Sequence, residues 1–156
     1  MMNNEQQVGS LAVETLQNIE GFLVQVDGDY RTFDNDGTPV VKHHPAWNDQ
    51  ARTRVEKILT QAGIPVLGED QISTAPAVLY VDYKMLQSRT GGYFCDVALT
   101  VVQRVHLARD LSTHAWGYTW RRCAVDEIES PNSLIDHVLG LTRAFVEDYC
   151  SANKRD

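Results

Sequence analysis

At 156 residues, with 43% hydrophobic and 22% charged side chains, the chain has the size and composition of one globular domain. Its net charge of −7 argues against nucleic acids and anionic membranes as partners, since both attract basic surfaces. No apolar run approaches the roughly 18 residues of a transmembrane helix, and the opening MMNNEQQ has none of the features of a signal peptide. We therefore expect a single domain over residues 1–156, with residues 1–10 disordered. From the sequence as written, we expect the protein to be cytoplasmic.

The three cysteines, Cys95, Cys123 and Cys150, do not form the pattern of a disulfide framework, because their number is odd and no two form a CxxC pair. Free thiols in a reducing compartment are the favoured interpretation. Cys95 and Cys123 fall on two strands that are expected to pair, so a bridge between these two is left open.

The first part of the chain is expected to hold a short helix, a strand and a hairpin. Residues 11–19 allow a short helix, and Phe22–Val26 alternates as a strand does. Residues 27–45 are rich in Asp, Gly and Asn. An Asn-Asp-Gly turn in this segment would join strands at Tyr30–Phe33 and Pro39–Lys42.

The most regular pattern runs from Asn48 to Gly63 and predicts a helix of three to four turns. Asn48 is expected to cap its start, and Gly63 to end it in a left-handed conformation. Ile64 would then touch Leu59, as in a Schellman ending, and Pro65 prevents the helix from continuing. Its apolar residues share one stripe: Ala51, Val55, Ile58, Leu59 and Ala62.

Strands dominate the part of the chain after this helix. A short strand is predicted at Ile64–Leu67, and three long ones at Ala77–Leu86, Tyr93–Leu107 and His114–Val125. Each long strand alternates an apolar face with a mixed face, which is typical of an antiparallel meander covered on one side only. Three aromatic residues are expected to share one side of the last strand: Trp116, Tyr118 and Trp120.

A second amphipathic helix closes the chain, with Ser130 expected as its cap and Pro131 as its first residue. Two amphipathic helices and one half-covered sheet bury their apolar faces against each other. The predicted fold is therefore α+β: a two-layer sandwich in which a mainly antiparallel sheet of four to five strands carries two main helices on one face. The second helix is expected to pack against Leu79, Val97 and Leu99.

Several of these segments together resemble an uncharacterised bacterial family of short α/β proteins. The resemblance is carried by VEKILTQAGIPVL (Val55–Leu67), by PAVLYV (Pro76–Val81), by Thr119-Trp120 and by LTRAFVEDY (Leu141–Tyr149). Members of that family usually look exported, which implies a periplasmic or envelope location if a signal peptide was removed. A more distant likeness to the amino-terminal domain of TolB and to CsgG-type domains implies a role in protein assemblies of the bacterial envelope.

Residues that often act in catalysis are present, but their spacing does not suit a catalytic site. Gly91-Gly92 lies in a predicted hairpin turn and not before a helix, so it is not a phosphate loop. Cys95 and His106 are eleven positions apart on one strand and therefore face opposite sides of the sheet, which argues against a catalytic dyad. His106 and His114 flank one turn and could meet across the strands, most simply as a surface pair.

A metal site is the hypothesis for the acidic segment 27–45. With Gly37 at the sixth position of a calcium loop, the twelfth position falls on His43, where a carboxylate is needed. Asp34, Asp36 and His44 are the candidate ligands, and solvated turn carboxylates are the simpler interpretation. The sequence predicts no cofactor.

The function predicted from these features is that of a non-enzymatic interaction or assembly module. The mixed face of the sheet has no third layer to cover it, so it is expected to meet a protein partner or a second copy of the chain. Five residues are the candidate contacts: Tyr80, Asp82, Lys84, Phe94 and Arg104. The alternative is a small-ligand or metal-binding protein with its site in the 27–45 hairpin, for which hydrolysis is one activity to consider.

Overall fold

The computed structural model of the protein describes residues 12–154, so the expected disorder of residues 1–10 lies outside the described residues. The strands are β1 (Phe22–Phe33), β2 (Pro39–Lys42), β3 (Ala77–Gln87), β4 (Tyr93–Leu107) and β5 (Asp110–Ile128). The two main helices are α1 (Pro45–Gln61) and α2 (Ser133–Ala152). In the described part of the chain, no helix is both long and apolar enough to cross a membrane.

The predicted α+β sandwich is confirmed. The five strands form one sheet in the order β2-β1-β3-β4-β5, in which only the β1–β3 pair is parallel. Both helices lie on one face: α1 packs against β1, α2 against β4 and β5, and the helices against each other. The β1–β3 pair is parallel because α1 carries the chain back across the sheet between them.

The core lies between the sheet and the helices, as the apolar stripes require. Phe145 of α2 is fully buried, and its ring meets Phe22 at 5.3 Å and Trp120 at 5.1 Å, in both cases edge to face. Leu79, Val97 and Leu99 belong to the same buried cluster as the apolar residues of α2. Val97 and Leu99 lie on β4, a strand that α2 contacts, so the expected position of this helix is confirmed.

Helix α1 ends as predicted and begins earlier than predicted. Gly63 has a φ of 74°, and the Ile64 N–H donates to the Leu59 carbonyl at 2.9 Å, which is the Schellman ending. The expected cap at Asn48 is wrong, because Pro45 starts the helix one turn earlier. The Asn48 side chain instead accepts a hydrogen bond from the hydroxyl of Tyr83 at 2.7 Å.

Two predicted strands near β1 are corrected by the structure. The separate strands at Phe22–Val26 and Tyr30–Phe33 are one continuous strand, because β1 pairs with β3 without interruption. The expected strand at Ile64–Leu67 reduces to one bridge between Val66 and Phe22. Pro65 has no N–H to donate, so a longer ladder cannot form there. The hairpin between β1 and β2 is confirmed.

The remaining boundaries differ locally. In residues 11–19, positions 12–14 form one helical turn, and Leu16 and Ile19 are buried. Helix α2 begins at Ser133, later than predicted, because Ser130 and Pro131 form a separate turn. In that turn the Ser130 hydroxyl accepts a hydrogen bond from the Asn132 N–H at 3.3 Å.

A β-bulge in β5 overturns the expectation that its three aromatic residues share one side. Val101 pairs with Trp120 and Val102 with Tyr118, so Thr119 has no partner in the ladder. The extra residue turns Trp120 into the core, where it is 3% exposed, and leaves Tyr118 80% exposed on the other side.

The cysteines are free, which closes the question of a bridge between Cys95 and Cys123. Cys95 is buried on the helix side of β4, whereas Cys123 is exposed and lies opposite Ala98 on the other side of the sheet. Because their side chains point to opposite faces, the two sulfurs cannot meet.

Candidate functional site

The side of the sheet that faces away from both helices is called the open face. Alternation along the strands and the pairing register together place a set of residues on it. Its members are Gln25, Asp27, Asp29 and Arg31 of β1; Val78, Tyr80, Asp82, Lys84 and Leu86 of β3; Phe94, Asp96, Ala98, Thr100, Val102 and Arg104 of β4; and Trp116, Tyr118, Arg121, Cys123, Val125 and Glu127 of β5.

One end of the open face is an apolar cluster of three side chains from three strands. Leu86 is 40% exposed, Phe94 48% and Val125 76%. They line a shallow depression of about 350 Å³, together with Arg31 and Lys84. Exposed apolar side chains that lie side by side on one surface mark an interaction site more clearly than scattered ones do.

The other end is a second cluster, which is aromatic. Trp116 is 50% exposed, and the guanidinium of Arg104 lies 5.6 Å from the centre of its ring, in a cation–π contact. Tyr118 stands beside it in the strand. Ile72, from the loop before β3, reaches the rim of this cluster and lines a depression of about 240 Å³ with Val78 and Trp116.

A charged belt separates the two clusters. Asp27 lies directly opposite Asp82, and Lys84 lies between Asp29 and Asp96 in the next row. Burial raises the pKa of Asp82; the nearby Lys84 lowers it, and the three neighbouring aspartates raise it further. Two carboxylates side by side on a sheet repel each other, so the belt is unfavourable for the isolated chain.

Tyr80 forms the boundary between the belt and the aromatic cluster. Its hydroxyl donates to Asp27 Oδ2 at 3.3 Å. Burial, followed by the negative charge of Asp27, raises the pKa of Tyr80 to about 12. The phenol therefore stays protonated at neutral pH and acts as a hydrogen-bond donor.

All five residues predicted as contacts lie together on the open face: Tyr80, Asp82, Lys84, Phe94 and Arg104. Sequence reasoning missed three exposed apolar residues of the same face. The alternation of β3 could have revealed Leu86. Val125 ends the predicted strand, but the bulge at Thr119 reverses the alternation before it, so the sequence did not place it on this face. Tyr118 could not be assigned from the sequence, because the bulge at Thr119 decides its side.

The acidic hairpin of residues 27–45 has a structural role in its turn. Asp34 Oδ1 accepts hydrogen bonds from the N–H groups of Asp36, at 3.0 Å, and Thr38, at 2.8 Å. His44 is stacked on Trp47, with 4.1 Å between the ring centres, at the start of α1. Among residues 12–154, no three His, Cys, Asp or Glu side chains gather as metal ligands, so Asp34, Asp36 and His44 are not brought together.

The two histidines at the end of the β4–β5 hairpin do meet. His106 and His114 are paired in the register, and their Nδ1 atoms are 3.4 Å apart. His106 Nδ1 also lies 2.8 Å from the Leu111 carbonyl oxygen. Cys95 lies on the opposite side of the sheet from His106 and is buried, so the two do not form a catalytic pair.

No family model matches the sequence, and no curated protein matches it either. Among solved structures, the chain is similar to a dodecamer of PelC from Paraburkholderia phytofirmans, with 14% identity and a TM-score of 0.44. That alignment covers 83% of this chain and 89% of the PelC chain. A similarity at this level establishes neither a shared fold nor a shared assembly.

Proposed function

We propose that the protein is a non-enzymatic interaction or assembly module whose open face binds a protein. The observation that supports this most directly is the concentration of exposed large hydrophobic side chains on one uncovered face of the sheet. Five of them belong to the open face: Leu86, Phe94, Trp116, Tyr118 and Val125. Patches of this kind on soluble domains mark protein interaction sites.

The composition of the open face also suits a protein partner. Aromatic residues and arginine are enriched in the energetically important parts of interfaces, and Trp116 and Arg104 already form a preassembled pair here. An arginine held over an indole loses less conformational freedom on binding than a free one. The aromatic cluster is therefore expected to supply more affinity per residue than the rest of the face.

The charged belt is expected to determine the orientation of the partner. The partly buried Asp82 and its neighbour Asp27 favour a partner that places a cation over them, since that would relieve their repulsion. The partner is a different protein or a second copy of this chain. The role in envelope assemblies that the sequence resemblance implies is part of the same proposal.

Two alanine variants test the proposal, Phe94→Ala in one cluster and Trp116→Ala in the other. Self-association is measured by sedimentation velocity, and partner binding by quantitative capture from a lysate. Truncation of an interface hot spot weakens binding by about 2 kcal/mol or more, which is roughly thirtyfold. Leu111→Ala is the matched control, because Leu111 is 72% exposed at the hairpin tip outside the open face. Unchanged mass and unchanged capture in both variants would contradict the proposal.

A further inference from the structure

The outer edge of β5 presents a second unpartnered surface, the row of backbone N–H and C=O groups that point away from β4. β5 has 19 residues and lies at one edge of the sheet, where it pairs only with β4 in the described part of the chain. Edge strands are usually protected by short length, proline, charged side chains (lysine above all) or a β-bulge. β5 has charged residues and a bulge at Thr119, but beyond the bulge its edge is regular. β5 is long, and its sequence DLSTHAWGYTWRRCAVDEI contains neither proline nor lysine.

The bulge divides this edge and defines where regular pairing can occur. At Thr119 the edge is occupied, because the Thr15 hydroxyl donates to the Thr119 carbonyl at 3.0 Å. Beyond the bulge, the regular segment runs from residue 120 to the end of the strand at Ile128. The midpoint of this segment is Ala124.

The charges of this segment are symmetric about the same residue. Two arginines precede Ala124 and two acids follow it at equal distances, in the order RRCAVDE. If two copies of β5 pair antiparallel with Ala124 facing Ala124, Arg121 lies opposite Glu127 and Arg122 lies opposite Asp126. Directly opposite residues in an antiparallel pair share a face and interact, and opposite charges there are stabilising.

Other registers do not have this property. With both open faces kept on the same side, moving the centre by one residue places Arg121 opposite Val125 or Arg122 opposite Ile128. All four charge pairs are then lost. In the second case Arg121 would face Glu129 instead, but Glu129 lies beyond the end of the strand at Ile128. The midpoint of the free edge and the symmetry of its charges therefore select the same register independently.

The Arg122–Asp126 pairs would lie on the helix side of the sheet and the Arg121–Glu127 pairs on the open face, and the two sides differ in the partners already present. On the helix side, Arg122 is held by Asp148 at 2.9 Å and Asp126 lies 3.4 Å from His137. On the open face, Arg121 and Glu127 have no ion-pair partner among the residues that the structure describes. The Arg121–Glu127 pair is thus the one that a second copy would satisfy.

We propose that two copies of this chain pair along residues 120–128 of β5, antiparallel and centred on Ala124. The occupant is a second copy because the edge is complementary in charge to itself, as the isologous interface of a two-fold dimer must be. The result is a continuous ten-stranded sheet with both open faces on one side. This inference concerns pairing along the strand edge and does not depend on the function proposed for the open face, although Arg121 and Glu127 lie where that face meets the edge.

A charge exchange tests the pairing. Arg121→Glu and Glu127→Arg each place like charges opposite one another at two sites in the dimer, whereas the double variant restores opposite charges. Sedimentation equilibrium is expected to give a dimer for the unaltered chain, a dimer dissociation constant raised at least about tenfold for each single variant, and recovery in the double variant. Arg54→Glu, at an exposed position of α1, is the matched control and should leave the dimer unchanged.

A chain that is monomeric at all concentrations would overturn the proposal. So would equal dimerisation of the single variants, or a double variant that is as weak as either single one. Circular dichroism verifies that each variant is folded, and the recovery in the double variant separates lost pairing from general destabilisation.

Cross-linking tests the register. Cys123 is exposed and would lie opposite Val125 of the second copy, so Val125→Cys creates two facing thiol pairs. The Cα separation of about 4.5–5.5 Å between such positions lies in the range that a disulfide allows. In a Cys150→Ser background, mild oxidation should give a covalent dimer that Cys123→Ser abolishes. An absent dimer, or one that persists without Cys123, would refute the register.

Different experimental results would contradict the β5 pairing and the open-face function. If only the β5 pairing is correct, Phe94→Ala leaves the dimer intact and no partner binding depends on it. If only the open face binds, Phe94→Ala abolishes association, and the double charge variant does not recover what either single variant loses, because Arg121 and Glu127 then have no facing partner in a second copy.

Discussion

The ring of Tyr83 lies directly over Gly28 on the neighbouring strand, in the space that a side chain at residue 28 would fill. Tyr83 is 1% exposed, and its hydroxyl donates a hydrogen bond to Asn48 Oδ1 of α1 at 2.7 Å. One side chain therefore ties together β1, β3 and the first turn of α1. This contact holds the acidic part of the open face in place from behind, because Asp27 and Asp29 flank Gly28 on the other side of the strand.

Gly28→Ala is predicted to destabilise the protein by about 1–3 kcal/mol, because the new methyl group collides with the Tyr83 ring and forces the strands to shift. Gly140→Ala is the matched control. Residue 140 lies within α2, and a Cβ there would meet nothing within 4 Å. Alanine should stabilise that helix by up to about 1 kcal/mol. Urea denaturation measures both, and an unchanged stability of the Gly28→Ala variant would contradict the close packing of Tyr83 on Gly28.

The stability of the protein is predicted to fall above pH 10, in part because of Tyr83. Burial, followed by the charges of Asp27 and Asp29, raises the pKa of Tyr83 from 10 to about 12 in the folded state. Between these values the unfolded chain releases the proton and the folded chain retains it, so the free energy of unfolding decreases as pH rises. The contribution is complete below pH 10 and is lost by about pH 12.

Tyr83→Phe removes this proton and should make the decrease less steep. At neutral pH the variant should also lose about 0.5–1.5 kcal/mol, because Asn48 loses its hydrogen bond. Urea denaturation on both sides of pH 10 separates the two effects. Equal slopes for the two proteins in the alkaline range would show that Tyr83 is not the group responsible.

Asp148 is predicted to be important for the packing of α2 on β5. Its carboxylate, 16% exposed, accepts hydrogen bonds from Trp120 Nε1 at 2.9 Å and from Arg122 Nε at 3.0 Å. Asp148→Ala leaves a buried indole N–H and a cation without an acceptor, which should cost about 1–3 kcal/mol. Glu147→Ala, at the exposed neighbouring position, should change stability by less than about 0.5 kcal/mol. Thermal denaturation of both variants gives the comparison, and similar melting temperatures would argue against this role.

Asp82→Asn is predicted to stabilise the isolated protein at pH 7, by up to about 1 kcal/mol, because it removes one of two facing carboxylates. Burial, the largest of several influences, raises the pKa of Asp82 above 3.8, so the folded state holds this proton more tightly than the unfolded state does. The wild-type carboxylate therefore destabilises the fold at neutral pH, and the gain in the variant should shrink as pH falls towards 3.8.

The matched control for this prediction is Asp36→Asn, because Asp36 is exposed in the β1–β2 turn and faces no strand neighbour. It should give no comparable gain at pH 7. A stability difference for Asp82→Asn that is absent at pH 7, or that grows on acidification, would contradict the electrostatic account of the belt.

Local patterns predicted the elements that make their own backbone contacts. The α1 ending follows from Gly63 and Ile64, which satisfy the last carbonyls within six residues of sequence. The start of α1 did not follow, because Asn48 is recruited by Tyr83, which lies 35 positions away in the chain. A capping preference of about 1 kcal/mol is easily outweighed by such a tertiary contact.

The candidate site shows the same division. Alternation along β3 and β4 placed the five candidate contacts on one face, where the structure also has them. Alternation alone gave the wrong sides in β5. Thr119 is unpaired there, so the residues that follow it point to the opposite faces from those that an unbroken alternation would give.

The sequence by itself therefore determined the two main helices, the positions of β3, β4 and β5, and the apolar sides of β3 and β4, because these depend on spacings of two to four residues. The tertiary structure alone decided the parallel pairing of β1 with β3, the side on which Trp120 and Tyr118 lie, and the juxtaposition of Asp27 with Asp82. These features depend on which distant segments supply hydrogen bonds to a strand. That competition is settled only when the sheet and its core assemble together.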